Sequence, residues 1–184
     1  MSRYQLTKSV VLVGMMGAGK TAVGKELARL IGAEFVDSDD AIETAANATI
    51  AEIFSQSGEA FFREKESQVL ARLLNGPPII LSTGGGAYLS HHNRRLIDQR
   101  AMAVWLRADL DLLWSRVRRK ETRPLLRVPD PRARLGELLV AREPAYGRAA
   151  LVIRTDDNYS VPDMAALVLD KLISHPGAPI RKVA

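Results

Sequence analysis

The 184-residue chain contains no cysteine. That removes a disulfide framework, a thiolate metal site and a thiol nucleophile together, and it favours a reducing compartment. Aromatic residues make up only 5% of the chain, so platforms for stacking nucleic-acid bases are scarce. The opening "MSRYQLTKS" lacks the apolar core of a signal peptide, and no apolar run reaches transmembrane length. A soluble cytoplasmic protein with no membrane partner is the expectation.

The rest of the composition is ordinary for a globular protein. Apolar residues are 47% and charged residues 26%, with a net charge of +5. The length suits one domain spanning 1–184, without internal repeats. Many arginines lie between positions 107 and 148, interleaved with acids rather than gathered in a block. This favours small anionic ligands over nucleic acid as partners.

Hydrophobic patterning gives strands alternating with helices. "SVVLVG" reads as a buried strand ending in glycine. Helical spacing follows over 20–31, with Gly32 closing it. "AEFVD" is a second strand, followed by short helices at 40–46 and 50–56 and a longer one at 59–74. Asn47 separates the short helices and tolerates a left-handed turn. "IILS" is a third strand, then come a helix at 91–99, a strand at 101–107 and a helix at 110–118. The stretch 118–134 is polar, proline-containing and poorly periodic, which predicts a mobile loop. A helix at 135–149, a strand "LVIRT" and a helix at 162–174 complete the pattern, and 175–184 reads as a frayed tail. Five such alternations predict a three-layer α/β/α fold around a five-stranded parallel sheet, with ligands at the carboxyl ends of the strands.

The first strand leads into Gly14-Met15-Met16-Gly17-Ala18-Gly19-Lys20-Thr21, which matches G-x-x-x-x-G-K-[ST]. Such a loop turns backbone N–H groups toward phosphates, and the helix start adds partial positive charge. Lys20 is expected at the β- and γ-phosphates and Thr21 at Mg²⁺. The third strand does not end in the acid that many P-loop ATPases place there, and no N-K-x-D guanine element occurs. Hydrolase and GTPase readings therefore lose ground.

Carboxylates stand instead at the end of the second strand, in "VDSDD". Asp37 and Asp39, two residues apart in an extended segment, would face the same way. One can orient metal-bound water and the other can take a proton from an attacking hydroxyl. The competing reading is helix capping by Ser38 or Asp39. Arg63 precedes Glu66 by three residues, which fits either a carboxylate-binding guanidinium or a surface ion pair. Gly84, Gly85 and Gly86 after the third strand let a ligand approach the backbone, or form a plain turn. Arg123 in the long loop suits a lid that neutralises a transferring phosphoryl group. Arg118, Arg119 and Arg127 read as solvated.

Taken in order, "GMMGAGKTAVGKELA", "FVDSDDAIE", "TIAEIFSQSGEAFFREKES", "LSTGGGA", "RPLL" and "AREPAYGRAA" resemble the shikimate kinases over nearly the whole chain. The resemblance implies a P-loop fold of the nucleoside-monophosphate-kinase kind. It implies MgATP-dependent phosphorylation of the 3-hydroxyl of shikimate, on the way to chorismate and the aromatic amino acids. Shikimate and ATP would be the small-molecule partners, with one Mg²⁺ per subunit, in a monomer. Carried onto this chain, Gly17, Ala18, Gly19, Lys20, Thr21 and Ala22 would hold ATP phosphates. Thr21 and Asp37 would serve the metal. Asp39 would bind shikimate hydroxyls and act as base, while Lys20 and Arg123 complete the catalytic set. Arg63, Gly84, Gly85, Gly86 and Arg142 would hold the substrate, the arginines at its carboxylate. Arg116 would pack on adenine and Asn158 would lie in the base-contacting loop. The substrate-binding helical part would run over about 38–66 and the lid over about 118–134. One departure is visible: the turn reads Ala46-Asn47-Ala48 where the family usually carries glycine.

Phe54 and Phe62 are candidates to wall the ring of such a substrate, and Glu66 to orient Arg63. Two alternatives stand beside this reading: a kinase acting on gluconate, and a nucleotide-binding regulatory module without catalysis.

Overall fold

The computed structural model describes residues 4–119 and 124–183. Five parallel strands form its centre. They are β2 (Ser9–Val13), β3 (Phe35–Asp37), β4 (Ile80–Ser82), β5 (Ala101–Arg107) and β6 (Leu151–Arg154), in the order β3-β4-β2-β5-β6. β2 lies in the middle, pairing β4 on one side and β5 on the other. This explains its sequence: Val10 to Val13 are 0% exposed, since a central parallel strand is covered on both faces. Each such side chain contributes about 1.5–3 kcal/mol on burial.

Helices α1 (Lys20–Ile31), α2 (Ser38–Ala46), α3 (Ile50–Leu74), α4 (His91–Arg100), α5 (Leu110–Val117), α6 (Pro131–Tyr146) and α7 (Val161–Ser174) cover the sheet. Among the described residues no helix is long and apolar enough to cross a membrane. α3 is broken at Gly58, whose φ of 78° and ψ of 176° suit glycine, so the two helices expected at 50–56 and 59–74 are two arms of one kinked rod. Asn47 ends α2 at φ 48° and ψ 41°, the left-handed turn expected of it. A small satellite core of Ile42, Ile53, Phe62 and Val69 holds α2 against α3.

Two expectations need correction. The segment 175–184 was expected to fray, but β7 (Ile180–Lys182) pairs antiparallel with β1 (Tyr4–Leu6), and Ile180 is buried. Both strands are three residues long and mixed in polarity, so neither carries a periodic signal. The pairing is fixed by long-range bonds such as those from the Thr7 N–H and hydroxyl to the Pro179 carbonyl. The loop expected over 118–134 also ends early. α6 starts at Pro131, capped by the Asp130 side chain, because proline is well placed in a first helical turn. Residues 120–123 of the proposed lid, including Arg123, lie outside the described residues.

Candidate active site

The site lies at the carboxyl ends of the strands, in a cleft of about 710 Å³. Its nucleotide half is the loop between β2 and α1. Six of the seven α-helices among the described residues begin with a side-chain cap: Asp37, Thr49, Ser90, Asp109, Asp130 and Ser160. α1 begins instead at Gly19, with φ 94° and no side-chain cap. Its first N–H groups therefore face the cleft as donors, together with the positive end of the helix dipole. Gly17 is equally constrained. Its φ is 83°, and a Cβ there would sit 2.8 Å from Val117 Cγ1. Lys20 is buried, and its Nζ donates to the Gly14 and Met15 carbonyls at 2.9 Å each. The ammonium thus stands inside the curve of the loop.

Thr21 Oγ1 donates to Asp37 Oδ2 at 2.9 Å, and Ser82 Oγ lies 3.4 Å from it. Ser82 ends β4, at the place where an acid was noted to be missing. Asp37 uses its other oxygen, Oδ1, to accept from the Asp39 N–H at 3.0 Å. The cap of α2 is therefore Asp37, and neither Ser38 nor Asp39 fills that role. The extended geometry invoked for the Asp37/Asp39 pair also stops at Asp37. Asp39 sits in the first turn of α2, yet both carboxylates line the cleft.

The part of the site expected to take the acceptor is organised by the glycine turn after β4. A Cβ on Gly84 would lie 2.9 Å from Asp39 Oδ1. One on Gly85 would lie 2.9 Å from Arg142 Nη1, and one on Gly86 would lie 2.5 Å from both terminal nitrogens of Arg63. Each glycine thus makes room for one of the three side chains expected at the substrate. The turn is tied to α2 by the Gly84 N–H donating to Ser38 Oγ at 3.3 Å.

Arg63 donates to Glu66 Oε2 at 2.9 Å and to Glu59 Oε1 at 3.4 Å. Its Cζ lies 5.1 Å from the Phe62 ring centroid, and Phe62 meets Phe54 at 4.7 Å between centroids. Glu66 is only 2% exposed, so this is no surface pair. Burial pushes its carboxyl above the ordinary range, Arg63 and Arg142 pull it back, and Asp39 pushes it further up. Its second oxygen is buried with no hydrogen-bond partner among the described residues. Arg142 is buried as well, on α6.

Arg116 donates to the Gly17 carbonyl at 3.1 Å and faces Asp157 at 4.0 Å, which places it on the wall of the nucleotide half. Asn158 does not line the cleft. Its amide and N–H both donate to Asp156, and the loop turns Thr155 and Tyr159 into the cleft instead. Thr155 and Tyr159 carry no motif of their own, Ser82 lies within "LSTGGGA" without having been singled out, and none of the three was expected at the site.

A family model described as shikimate kinase matches residues 16–173. The chain belongs to the shikimate kinase family. It is similar to the shikimate kinase of Cereibacter sphaeroides, with 58% identity over 172 residues, 94% of this chain and 86% of the relative. Identity to the shikimate kinase of Ruegeria pomeroyi is 56%, covering 91% and 86% of the two chains. Among solved structures, the shikimate kinase from Acinetobacter baumannii in complex with shikimate superposes with a TM-score of 0.84. It is 41% identical, and the match covers 89% of this chain and 91% of that one. A gluconokinase from Sinorhizobium meliloti reaches a TM-score of 0.57 at 16% identity, which is a likeness of fold alone.

Proposed function

We propose a division of labour among these residues for the family's reaction, the transfer of the γ-phosphate of ATP to the 3-hydroxyl of shikimate, giving shikimate 3-phosphate and ADP. The loop from Gly17 to Ala22 and the start of α1 bind the phosphates, with Lys20 neutralising their charge. Arg116 borders the base. Asn158 contributes through its loop, in which Thr155 and Tyr159 are the residues that face the cleft.

Thr21 and Asp37 form the Mg²⁺ site. The fit rests on the donor set: a hydroxyl and a carboxylate within 2.9 Å of each other, both hard oxygen ligands. Among the described residues no group of three or more His, Cys, Asp or Glu could hold an ion alone. That suits Mg²⁺, which in phosphoryl-transfer sites takes one or two protein ligands and completes its shell from phosphate and water. When bound, the ion neutralises charge on the transferring phosphate.

The acceptor's carboxylate faces Arg63 and Arg142, since guanidinium forks match carboxylates. Asp39 takes the hydroxyl, as base or as orienting acceptor. Gly84, Gly85 and Gly86 bring the backbone to the substrate. Arg123, in the lid over about 118–134, is assigned to the phosphates on the strength of the resemblance. Catalysis then comes from positioning and charge stabilisation, with the lid keeping water from the phosphate. The whole constellation belongs to one chain, so a monomer suffices. The cytoplasm, where ATP is supplied, is the compartment assigned.

The observation that carries this reading is the convergence of Asp39, Arg142 and Arg63 on three successive glycines beside the phosphate loop. ADP release over a panel of hydroxy acids tests it. Shikimate should be the preferred acceptor and should require Mg²⁺. Faster turnover on gluconate would overturn the assignment.

A further inference from the structure

Tyr146 has no role in the assignments above, yet it touches both the Gly85 carbonyl and Arg142. It is 0% exposed and lies on α6, one helical turn beyond Arg142. Its hydroxyl donates to the Gly85 carbonyl at 2.5 Å and lies 3.9 Å from Met15 Sδ in the phosphate loop. Its ring packs on Trp105 of β5, 5.8 Å between centroids. Burial pushes the phenol pKa up, against the opposing pull of Arg142, which also hydrogen-bonds it. The hydroxyl therefore stays a donor at neutral pH. Around Gly85 there is no slack: a Cβ would lie 2.9 Å from Arg142 Nη1, 3.6 Å from the Tyr146 hydroxyl and 3.7 Å from the Gly14 carbonyl.

A glycine peptide has a wide choice of orientations, and three in a row leave the turn poorly fixed by its own sterics. One strong hydrogen bond to a buried group decides the orientation. The peptide is planar and trans, so anchoring the Gly85 carbonyl on Tyr146 sends the Gly86 N–H the opposite way, away from the phenol. Core packing alone needs only the ring, which phenylalanine would supply. The oxygen needs another reason.

We propose that Tyr146 is a positioning residue for the acceptor: its hydroxyl sets the rotation of the Gly85–Gly86 peptide and holds the turn in register with Arg142 and the phosphate loop. This rests on the reading that the glycine turn and Arg142 bind the acceptor. The test is steady-state kinetics of Tyr146→Phe beside Arg142→Lys and Ile97→Ala, a core variant on α4 away from the site. KM does not depend on the fraction of chain that is folded, so a loss of stability cannot imitate the expected result.

Tyr146→Phe should raise the shikimate KM about tenfold, with the ATP KM and kcat within about twofold of wild type. Ile97→Ala should lower Tm and leave both KM values unchanged. A normal shikimate KM in Tyr146→Phe, alongside a raised one in Arg142→Lys, overturns this inference and spares the acceptor assignment. Normal values in both variants overturn the assignment and the inference with it. Should Tyr146→Phe not fold, 3-fluorotyrosine at 146 keeps ring and hydroxyl while altering donor strength. A shift in shikimate KM then supports the role, and an unchanged value overturns it.

Discussion

The phosphate-binding part of the cleft is one contiguous loop, residues 14–21, whose main donors belong to the backbone. The half assigned above to the acceptor draws on Asp39 from α2, Arg63 from α3, the glycine turn after β4, and Arg142 from α6. The first has its shape because glycine permits it. The second is assembled because glycine stays out of the way: each of Gly84, Gly85 and Gly86 leaves the volume that a charged side chain from another element fills. A local motif can thus be complete in a dozen residues, whereas a substrate pocket needs the whole fold to close it. It follows that damage to one half should be separable from damage to the other.

The largest effect should come from Asp39→Asn. Turnover should fall by about 10²–10⁴-fold while ATP affinity, measured by equilibrium binding, holds. A parallel loss of ATP affinity would merge the two halves. Next in size is Arg63→Lys, which keeps the charge and loses the fork. It should cost about 1.5–3 kcal/mol in shikimate recognition, read as a raised shikimate KM at constant ATP KM. An unchanged shikimate KM would reduce Arg63 to its ion pair with Glu66.

Gly17→Ala probes the other half. Its left-handed φ and the contact with Val117 should cost about 1–3 kcal/mol, appearing in the ATP KM and not in the shikimate KM. The smallest effect concerns Glu66 and is read as Tm against pH. A carboxyl with a raised folded pKa stays protonated in the folded chain where the unfolded chain is already ionised. Stability therefore falls as pH climbs from about 4.5 through the raised value, then levels off. Glu66→Gln should remove that decline. A persisting slope would place the desolvated acid elsewhere.

Much of the fold was legible because parallel strands buried on both faces read as apolar runs, and α1 and β5 lie within the bounds that periodicity predicts. Misreadings arose where the deciding interaction was distant. β1 and β7 meet from opposite ends of the chain, Tyr4 opposite Lys182 and Leu6 opposite Ile180, a pairing that three-residue strands cannot announce. Asp37, not its neighbours, caps α2, since β3 ends at Asp37 and Ser38 already opens the helix. The glycine turn was read as a place where a ligand approaches the backbone or as a plain turn, and its meaning depends on which side chains abut it. Tyr146 was visible four residues after Arg142, one turn along the same helix, and only its contact with Gly85 gives it a task.

Residues 14–21 determined by themselves that a phosphate-binding loop would form, because glycine's conformational range and the helix start are local properties. Ordered motifs determined the family. Tertiary structure alone decided that Asp39, Arg63 and Arg142 meet at one glycine turn, that Glu66 is buried beside Arg63, and that the Gly85 carbonyl is held by a phenol. Those facts depend on distances between elements far apart in the chain, and only packing of the whole core sets such distances.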